Sequence, residues 1–309
     1  MNRDVIIIGG GSAGFAAGIY TSRAMLKPLL FTGEALGGQL SLTTNLENYP
    51  GFFGKEAMKF VEGLKEQAEH FGTEVVYDSV TEVDLSHRPF RVNTYDQQLQ
   101  AQSLVVCTGS SPRVLGVPGE KQFGGRGVSY CATCDGYFFQ DKRVVVVGGG
   151  DAAIEEALFL TRFALEVCVV HRRDELRASK ILQERASRNE KIRFVWDTVV
   201  EEIRGSQDKV TGVLLRNVKT GAQSEQTTDG VFIFVGHVPN TDLFREKLAV
   251  DDHGYIIVDR HQATSVLGVF AAGDVHDSLY RQAITAAAAG AAAGISVRKF
   301  LEQVDVPLD

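Results

Sequence analysis

Excess positive charge is missing from this chain: 32 lysines and arginines stand against 39 aspartates and glutamates in 309 residues, for a net charge of −7. A nucleic-acid binder needs a basic face to neutralise phosphates, so the balance argues against that class and leaves one local basic patch, at residues 171–177. Long apolar runs are missing too. The alanine-rich stretch 283–293 is shorter than the about 20 apolar residues that cross a bilayer. Residues 1–20 superficially resemble a leader, but Asp4 and the glycines at 9–11 interrupt it, and the segment reads as a strand and turn. No membrane partner and a cytoplasmic setting are therefore expected. Cysteine is scarce, at four in the chain. No second Cys-x-x-Cys and no His-x-x-x-His accompanies Cys131 and Cys134, so a zinc site is disfavoured and no metal is expected. Cys107 and Cys168 sit inside apolar runs and read as buried, inert thiols.

What the chain has in quantity is glycine, 32 residues, and its placement is informative. The run Ile6, Ile7, Ile8 ends in Gly9-Gly10-Gly11-Ser12-Ala13-Gly14. An alanine-rich helical stretch to about Leu26 and a second apolar run at 28–31 follow. The plan recurs: an all-valine run at 144–147, then Gly148-Gly149-Gly150-Asp151-Ala152-Ala153, a helical stretch to about Leu165, and an apolar run at 167–170. The copies align without a gap, Gly9 on Gly148 and Phe31 on Val170. Glycines at this spacing let a backbone approach a pyrophosphate, whose charge is met by free N–H groups at the helix start. Two such loops imply two nucleotides.

The length exceeds what one core usually holds. Glycine-bearing segments at 115–127 and 236–240 look like boundaries, and the apolar runs at 255–258 and 268–272 would complete an earlier sheet. The expected fold is α/β with two Rossmann-like dinucleotide-binding domains, the second inserted into the first. Residues 1–114 and 242–309 would form the discontinuous FAD-binding domain, and residues 115–241 the NADPH-binding domain carrying the thiol pair.

The end of the second strand decides the nucleotide, because an acid there accepts from a ribose 2′-hydroxyl whereas arginines accept a 2′-phosphate. In the second unit that place holds His171-Arg172-Arg173, with Arg177 a turn further on if a helix follows. Together with Gly148, Gly150, Asp151 and Ala152 this set suits NADPH. The first unit has Thr32 there, with Glu34 as the substitute acid and no arginine. With Gly9, Gly11, Ser12, Ala13 and Gly14 it suits a non-phosphorylated adenine dinucleotide, FAD, for which Gly273 and Asp274 offer a second contact loop.

Between the loops lies Cys131-Ala132-Thr133-Cys134-Asp135-Gly136. Two thiols at this spacing can close a small disulfide ring, and a dithiol can reduce an outside disulfide by exchange after taking electrons from a reduced flavin. Each leaving thiolate needs a proton. Asp135 is the acid inside the motif and the candidate carrier, and it can serve as well in the common structural role of a helix N-cap or turn aspartate.

In order and spacing, these motifs, together with Gly37-Gly38-Gln39, Asn48-Tyr49-Pro50-Gly51, the segment 236–241, and Gly273-Asp274 with Arg281-Gln282-Ala283, resemble the low-molecular-weight thioredoxin reductases of bacteria and plants over essentially the full length. The resemblance implies a homodimeric thioredoxin-disulfide reductase with one FAD per subunit and NADPH as donor. It implies that Cys134 faces the flavin, Cys131 exchanges with thioredoxin and Asp135 is the acid. Gly38, Gln39, Asn48, Thr108, Gly109, Asp274, Arg281, Gln282 and Ala283 carry over as FAD contacts, and Arg172, Arg173 and Arg177 as phosphate ligands. It further implies a rotation of one domain against the other, for which 115–127 and 236–240 are the expected hinges. The tail at 304–309 offers no extra redox pair. Alternatives are a reductase of another thioredoxin-like carrier, a flavin-dependent dithiol oxidase, and a nucleotide-sensing flavoprotein without turnover.

Overall fold

Strand β1 (Asn2–Ile8) shows why the sheets form where they do. Val5 and Ile7 pack into one apolar cluster, Ile6 and Ile8 into another, so both faces are covered and the run can be apolar throughout. The valines of the second repeat do the same, Val144 and Val146 on one side, Val145 and Val147 on the other. The computed structural model describes residues 2–43, 45–53, 56–207 and 209–304.

After β1 come α1 (Ser12–Arg23), β2 (Pro28–Phe31), α2 (Ala57–His70) and β3 (Glu74–Val76). Strands β4 (Glu82–Asp84), β5 (Phe90–Asn93) and β6 (Gln98–Val106) follow, and β7 (Ser110–Pro112) leads out of the first unit. The second unit builds β8 (Val128–Ser129), α3 (Ala132–Asp135), β9 (Arg143–Gly148), α4 (Asp151–Leu160), β10 (Glu166–Val170), α5 (Lys180–Ser187) and β11 (Ile192–Val195). An antiparallel set, β12 (Thr198–Ser206), β13 (Lys209–Asn217) and β14 (Gln223–Thr227), precedes β15 (Gly230–Phe234) and the returning β16 (His237–Pro239). The first unit then closes with β17 (Val269–Ala271) and α6 (Ala283–Val304).

The chain divides into one unit of Met1–Ser111 with Val238–Asp309 and a second of Pro112–His237 inserted between them. The first holds a sheet ordered β3-β2-β1-β6-β5-β4, with β17 on β6; the second holds a parallel sheet ordered β11-β10-β9-β15-β8. In each, the glycine loop leaves the carboxyl end of a central strand, β1 or β9, where neighbouring strands diverge in chain order. This is the doubly wound α/β plan, built twice.

Several local expectations give way to geometry. Helix α1 stops at Arg23, short of Leu26, because Met25 turns left-handed (φ 63°). Its N–H then bonds Ser22 while that of Leu26 reaches Thr21, the paired closure that ends helices. Helix α4 stops at Leu160, not near Leu165, in a turn where Lys191 Nζ donates to the carbonyls of Thr161 and Ala164. No helix follows Arg172 and Arg173; the segment runs as bends, and α5 begins only at Lys180. Of the two late apolar runs, Val269–Ala271 joins the sheet, whereas residues 255–258 contribute only an isolated bridge from Ile256 to Val250. The alanine run is the first half of a 22-residue helix, long and apolar enough by length and composition to cross a membrane, so its shortness is no argument against one. The helix instead buries Gly290, Ala293, Val297 and Phe300. At Gly290 a Cβ would lie 2.0 Å from the Ala13 carbonyl, so α6 is packed backbone to backbone on α1. Residues 305–309 of the tail lie outside the described residues.

Candidate active site

Cys131 and Cys134 form a disulfide, with Cα atoms 5.3 Å apart. Cys131 is the N-cap of α3, and its Sγ accepts from the Cys134 N–H at 3.2 Å and lies 3.2 Å from Thr133 Oγ1. Those donors would support a thiolate on Cys131 once the bond opens. Gly136 lets the motif lie close on α4, since a Cβ there would meet Leu160 at 3.2 Å. Cys134 is exposed and Cys131 partly so. In the turn that follows the pair, exposed Tyr137 packs edge-on against Phe138 and Phe163 and presents an aromatic surface.

Asp135 is partly buried, and burial pushes its carboxyl above the ordinary range while a hydrogen bond from Ser129 pulls it back. Ser129 Oγ sits 2.6 Å from Asp135 Oδ2, accepts the Cys131 N–H at 3.1 Å and lies 3.2 Å from the Cys131 carbonyl oxygen. Sequence reasoning missed this serine: a small polar residue two places before a cysteine carries no spacing signal. It also missed Glu120, a buried carboxylate that accepts from the N–H groups of Leu115 and Gly116 and from the Tyr130 hydroxyl at 2.8 Å. Glu120 thereby ties the start of the inserted unit to the residue before Cys131. The other thiols are buried, and burial pushes both up, Cys168 to about 11.

In the first loop, Gly9 has φ 121°, and a Cβ would lie 2.1 Å from the Cys107 carbonyl oxygen; at Gly14 it would lie 1.9 Å from the Gly9 oxygen. Gly38 faces open space, and a Cβ at Gly11 would meet only the Gly37 carbonyl oxygen, at 4.0 Å, which leaves room for a ligand to approach the backbone. Gly11 caps α1 without a side-chain bond, so the N–H groups there are free of a capping side chain, and Ser12 Oγ is buried with no partner among the described residues. Gly273 brings the later loop against Ala13, its own Cβ position being 3.0 Å from that of Ala13. Asp274 follows, pushed up to about 6 by burial and by Asp277 against the pull of Arg281. Asn48 Nδ2 donates to Gln282 Oε1 at 3.2 Å, joining two distant segments of the expected set, and Ala283 opens α6. Gln39 and Glu34 are exposed, while Thr32 is buried and donates its hydroxyl to the Gly33 carbonyl. Thr108 and Gly109 are held by Asn240: the Thr108 hydroxyl donates to its carbonyl and the Gly109 oxygen accepts its N–H. An orphaned buried hydroxyl, open glycines and an uncapped helix start fit an adenine dinucleotide.

The second loop repeats the arrangement with changes. Gly148 carries the backbone past Phe234, and Gly150 caps α4 with open space around it and no side-chain bond. Ala152 is exposed, and Asp151 Oδ1 accepts the Ser179 N–H at 2.8 Å. His171 is buried, its ring against Gly149, and burial pushes its pKa down. The chain beyond is pinned by backbone bonds from Asp197 to Arg173 and from Arg177 and Ala178 to Gly149. Arg172, Arg173 and Arg177 are exposed and make no ion pair among the described residues. The nearby acids are occupied instead by Lys219, 2.8 Å from Asp174 and 3.0 Å from Asp197. Uncommitted guanidinium groups beside an uncapped helix start fit a phosphorylated nucleotide.

The pyridine nucleotide-disulphide oxidoreductase family model matches residues 3–290. The thioredoxin reductase of Rickettsia felis is 51% identical over 304 residues, 97% of this chain and 98% of its own. That of Streptomyces coelicolor is 51% identical over 303 residues, 97% of this chain and 94% of its own. Among solved structures, thioredoxin reductase from Streptococcus pyogenes matches with a TM-score of 0.94 at 45% identity, over 98% of this chain and 99% of that one. Likeness of this extent along nearly the whole sequence means that the chain belongs to the pyridine nucleotide-disulphide oxidoreductase family, flavoprotein enzymes that include those thioredoxin reductases and work with a flavin and a nicotinamide nucleotide.

Proposed function

We propose that the chain is an NADPH-dependent thioredoxin-disulfide reductase, with FAD on the first unit and NADPH on the second. The observation that carries the proposal is the Cys131–Cys134 disulfide with Asp135 held beside it, in the unit that also bears the arginine segment. Gly9, Gly11, Ser12, Gly38, Asn48, Asp274 and Gln282 would hold FAD; Gly150, Arg172, Arg173 and Arg177 would hold NADPH, the arginines taking the 2′-phosphate. When bound, the two nucleotides supply a hydride and deliver its electron pair at the disulfide.

Uptake of two electrons breaks the Cys131–Cys134 bond and leaves two thiolates, one of which takes a proton from Asp135. Cys131 Sγ attacks one sulfur of the thioredoxin disulfide, forming a mixed disulfide and releasing one client thiolate. Cys134 Sγ then attacks Cys131 Sγ, re-forming the internal bond and releasing the second thiolate, which leaves protonated. Cys134 returns its proton to Asp135 as it attacks, and Asp135 passes that proton to the second client thiolate. The first client thiolate and Asp135 take theirs from solvent, so the client has gained two electrons and two protons and the chain is back in its disulfide state. The Cys134 N–H favours Cys131 as the attacking thiolate, and the aromatic surface around Tyr137 offers the client apolar contact. Assembly as a homodimer, a cytoplasmic setting and the absence of a membrane partner complete the proposal and rest on the likeness to the relatives.

The test mixes purified holoenzyme with NADPH and thioredoxin and follows nicotinamide absorbance, with Cys134→Ser as control. Oxidation of NADPH that requires both thioredoxin and Cys134 is the expected result. Flavin bleaching without thioredoxin reduction would refute thioredoxin as client, and no response to NADPH would refute the role given to the arginines.

A further inference from the structure

A proton carrier beside a disulfide must be comfortable both with and without its proton, and a partly buried carboxyl is comfortable in neither state unless its neighbours adapt. Ser129 is the neighbour that can. It is 4% exposed and stands on β8, whose Ser129 pairs in register with Phe232 of β15, so its backbone is fixed by the sheet and not by the short helix that carries Asp135. Its oxygen meets three groups: the Cys131 N–H at 3.1 Å, Asp135 Oδ2 at 2.6 Å and the Cys131 carbonyl oxygen at 3.2 Å. The first can only donate. The other two both accept, and a hydroxyl has one proton to give.

We propose that Ser129 is a positioning residue for the proton-carrying step, its hydroxyl turning between Asp135 and the Cys131 carbonyl as Asp135 loses and regains its proton. With Asp135 ionised, the serine proton points at Oδ2 in a charge-assisted bond. With Asp135 protonated, the carboxylic acid donates to Ser129 Oγ and the serine proton turns to the Cys131 carbonyl. The oxygen then accepts two hydrogen bonds and donates one, which is its full capacity. The carbonyl is not orphaned when the serine turns away, because it also accepts the Asp135 N–H at 3.1 Å. Neither state leaves a buried polar group unpaired, so the proton can leave and return without backbone movement. The same oxygen holds the Cys131 N–H, and one serine therefore sets both the acid and the attacking sulfur.

The other titratable groups on the elements around α3 are Asp151, Glu155 and Glu156 of α4, Tyr137 in the following turn, Tyr130 with Glu120 on the approach, and the two thiols once reduced. The position of Asp135 is set by burial against Ser129. The inference rests on Asp135 being the proton carrier in the proposed reaction.

The experiment compares Ser129→Ala, Ser129→Thr and Asp135→Asn holoenzymes, each checked for flavin content, in thioredoxin reduction across pH, with every profile scaled to its own optimum. Removing the donor that steadies the carboxylate raises its affinity for the proton. The alkaline limb of Ser129→Ala should therefore move to higher pH, its relative rate at a fixed pH on the wild-type limb exceeding wild type several-fold. Ser129→Thr, which keeps the hydroxyl, should restore the wild-type limb. If Asp135→Asn is crippled but the Ser129→Ala limb does not move, the inference falls while the proposed reaction stands. A uniform loss at all pH values that Ser129→Thr does not restore also overturns it, as a packing effect. Asp135→Asn at the wild-type rate would remove Asp135 as carrier and the inference with it. Should Ser129→Ala not load flavin, Ser129→Gly is measured in its place and judged by the same limb.

Discussion

Gly14 and Ala153 occupy the same place in the two glycine loops, and the surroundings of that one position differ sharply. At Gly14 a Cβ would press to 1.9 Å from the Gly9 carbonyl oxygen, so the first loop and α1 meet through bare backbone. In the second loop a methyl group is present and buried, fitted against Gly148. The strands that follow diverge further: β2 ends in Thr32, its hydroxyl turned onto Gly33, and β10 ends in buried His171 followed by exposed arginines. In the proposed reading the loops supply the same pyrophosphate chemistry and the end of the next strand distinguishes the nucleotide, so that a repeated scaffold would diversify at its rim without disturbing the turn proposed to meet phosphate.

The two loops should respond most differently at the paired position itself. Gly14→Ala should cost roughly 3 kcal/mol or more and strip the flavin, because the obstacle is backbone that cannot step aside. Ala153→Gly should cost only about 1 kcal/mol of helix propensity and leave NADPH binding within a few-fold. Flavin absorbance per chain and thermal unfolding distinguish the two. The rim is tested by Arg172→Ala with Arg173→Ala, which should raise the KM for NADPH by about 10- to 100-fold and leave that for NADH nearly unchanged. Equal losses for both donors would mean that the arginines do not read the phosphate.

A pH effect separates the units next. Asp274 moves from 3.8 to about 6 in the folded first unit, so the native state holds a proton that the unfolded chain has released. Its contribution is full below the unfolded value and is lost as pH rises through the folded one. Flavin-free wild type should therefore lose stability relative to Asp274→Asn as pH rises from 3.8 to about 6, by on the order of 3 kcal/mol, read as a difference in Tm. The smallest effect is expected from Lys219→Ala. Freeing Asp174 and Asp197 to compete for the arginines should raise the KM for NADPH only a few-fold, since exposed ion pairs are worth about 1 kcal/mol or less.

Much of the fold was legible because strands covered on both faces write themselves as apolar runs, as at Ile6 to Ile8, and because glycine spacing marks the turn that follows. Helix ends were not, since Met25 turning left-handed and Lys191 capping α4 depend on partners that no window of sequence contains. Whether a helix follows Arg172 was left open by the basic composition, which is silent on the backbone bonds from Arg177 and Ala178 to Gly149 that hold the segment out of one. At the site, Cys131, Cys134 and Asp135 announced themselves by adjacency. Ser129 and Glu120 did not, because their partners are chosen by where β8 and the preceding loop are placed.

The sequence by itself determined the two glycine loops, the thiol pair and the acid beside it, since each depends on neighbours only a few residues away. Only the tertiary structure decided which polar atoms are left to act. It turned the Thr32 hydroxyl onto Gly33, engaged Asp174 with Lys219 and, among the described residues, left the Ser12 hydroxyl buried without a partner and three arginines without an ion pair. It also set a strand-borne serine against a helix-borne aspartate. Hydrogen-bond partners and burial are properties of chain segments brought together from far apart, and a carboxyl such as that of Asp135 takes its affinity for a proton from that enclosure.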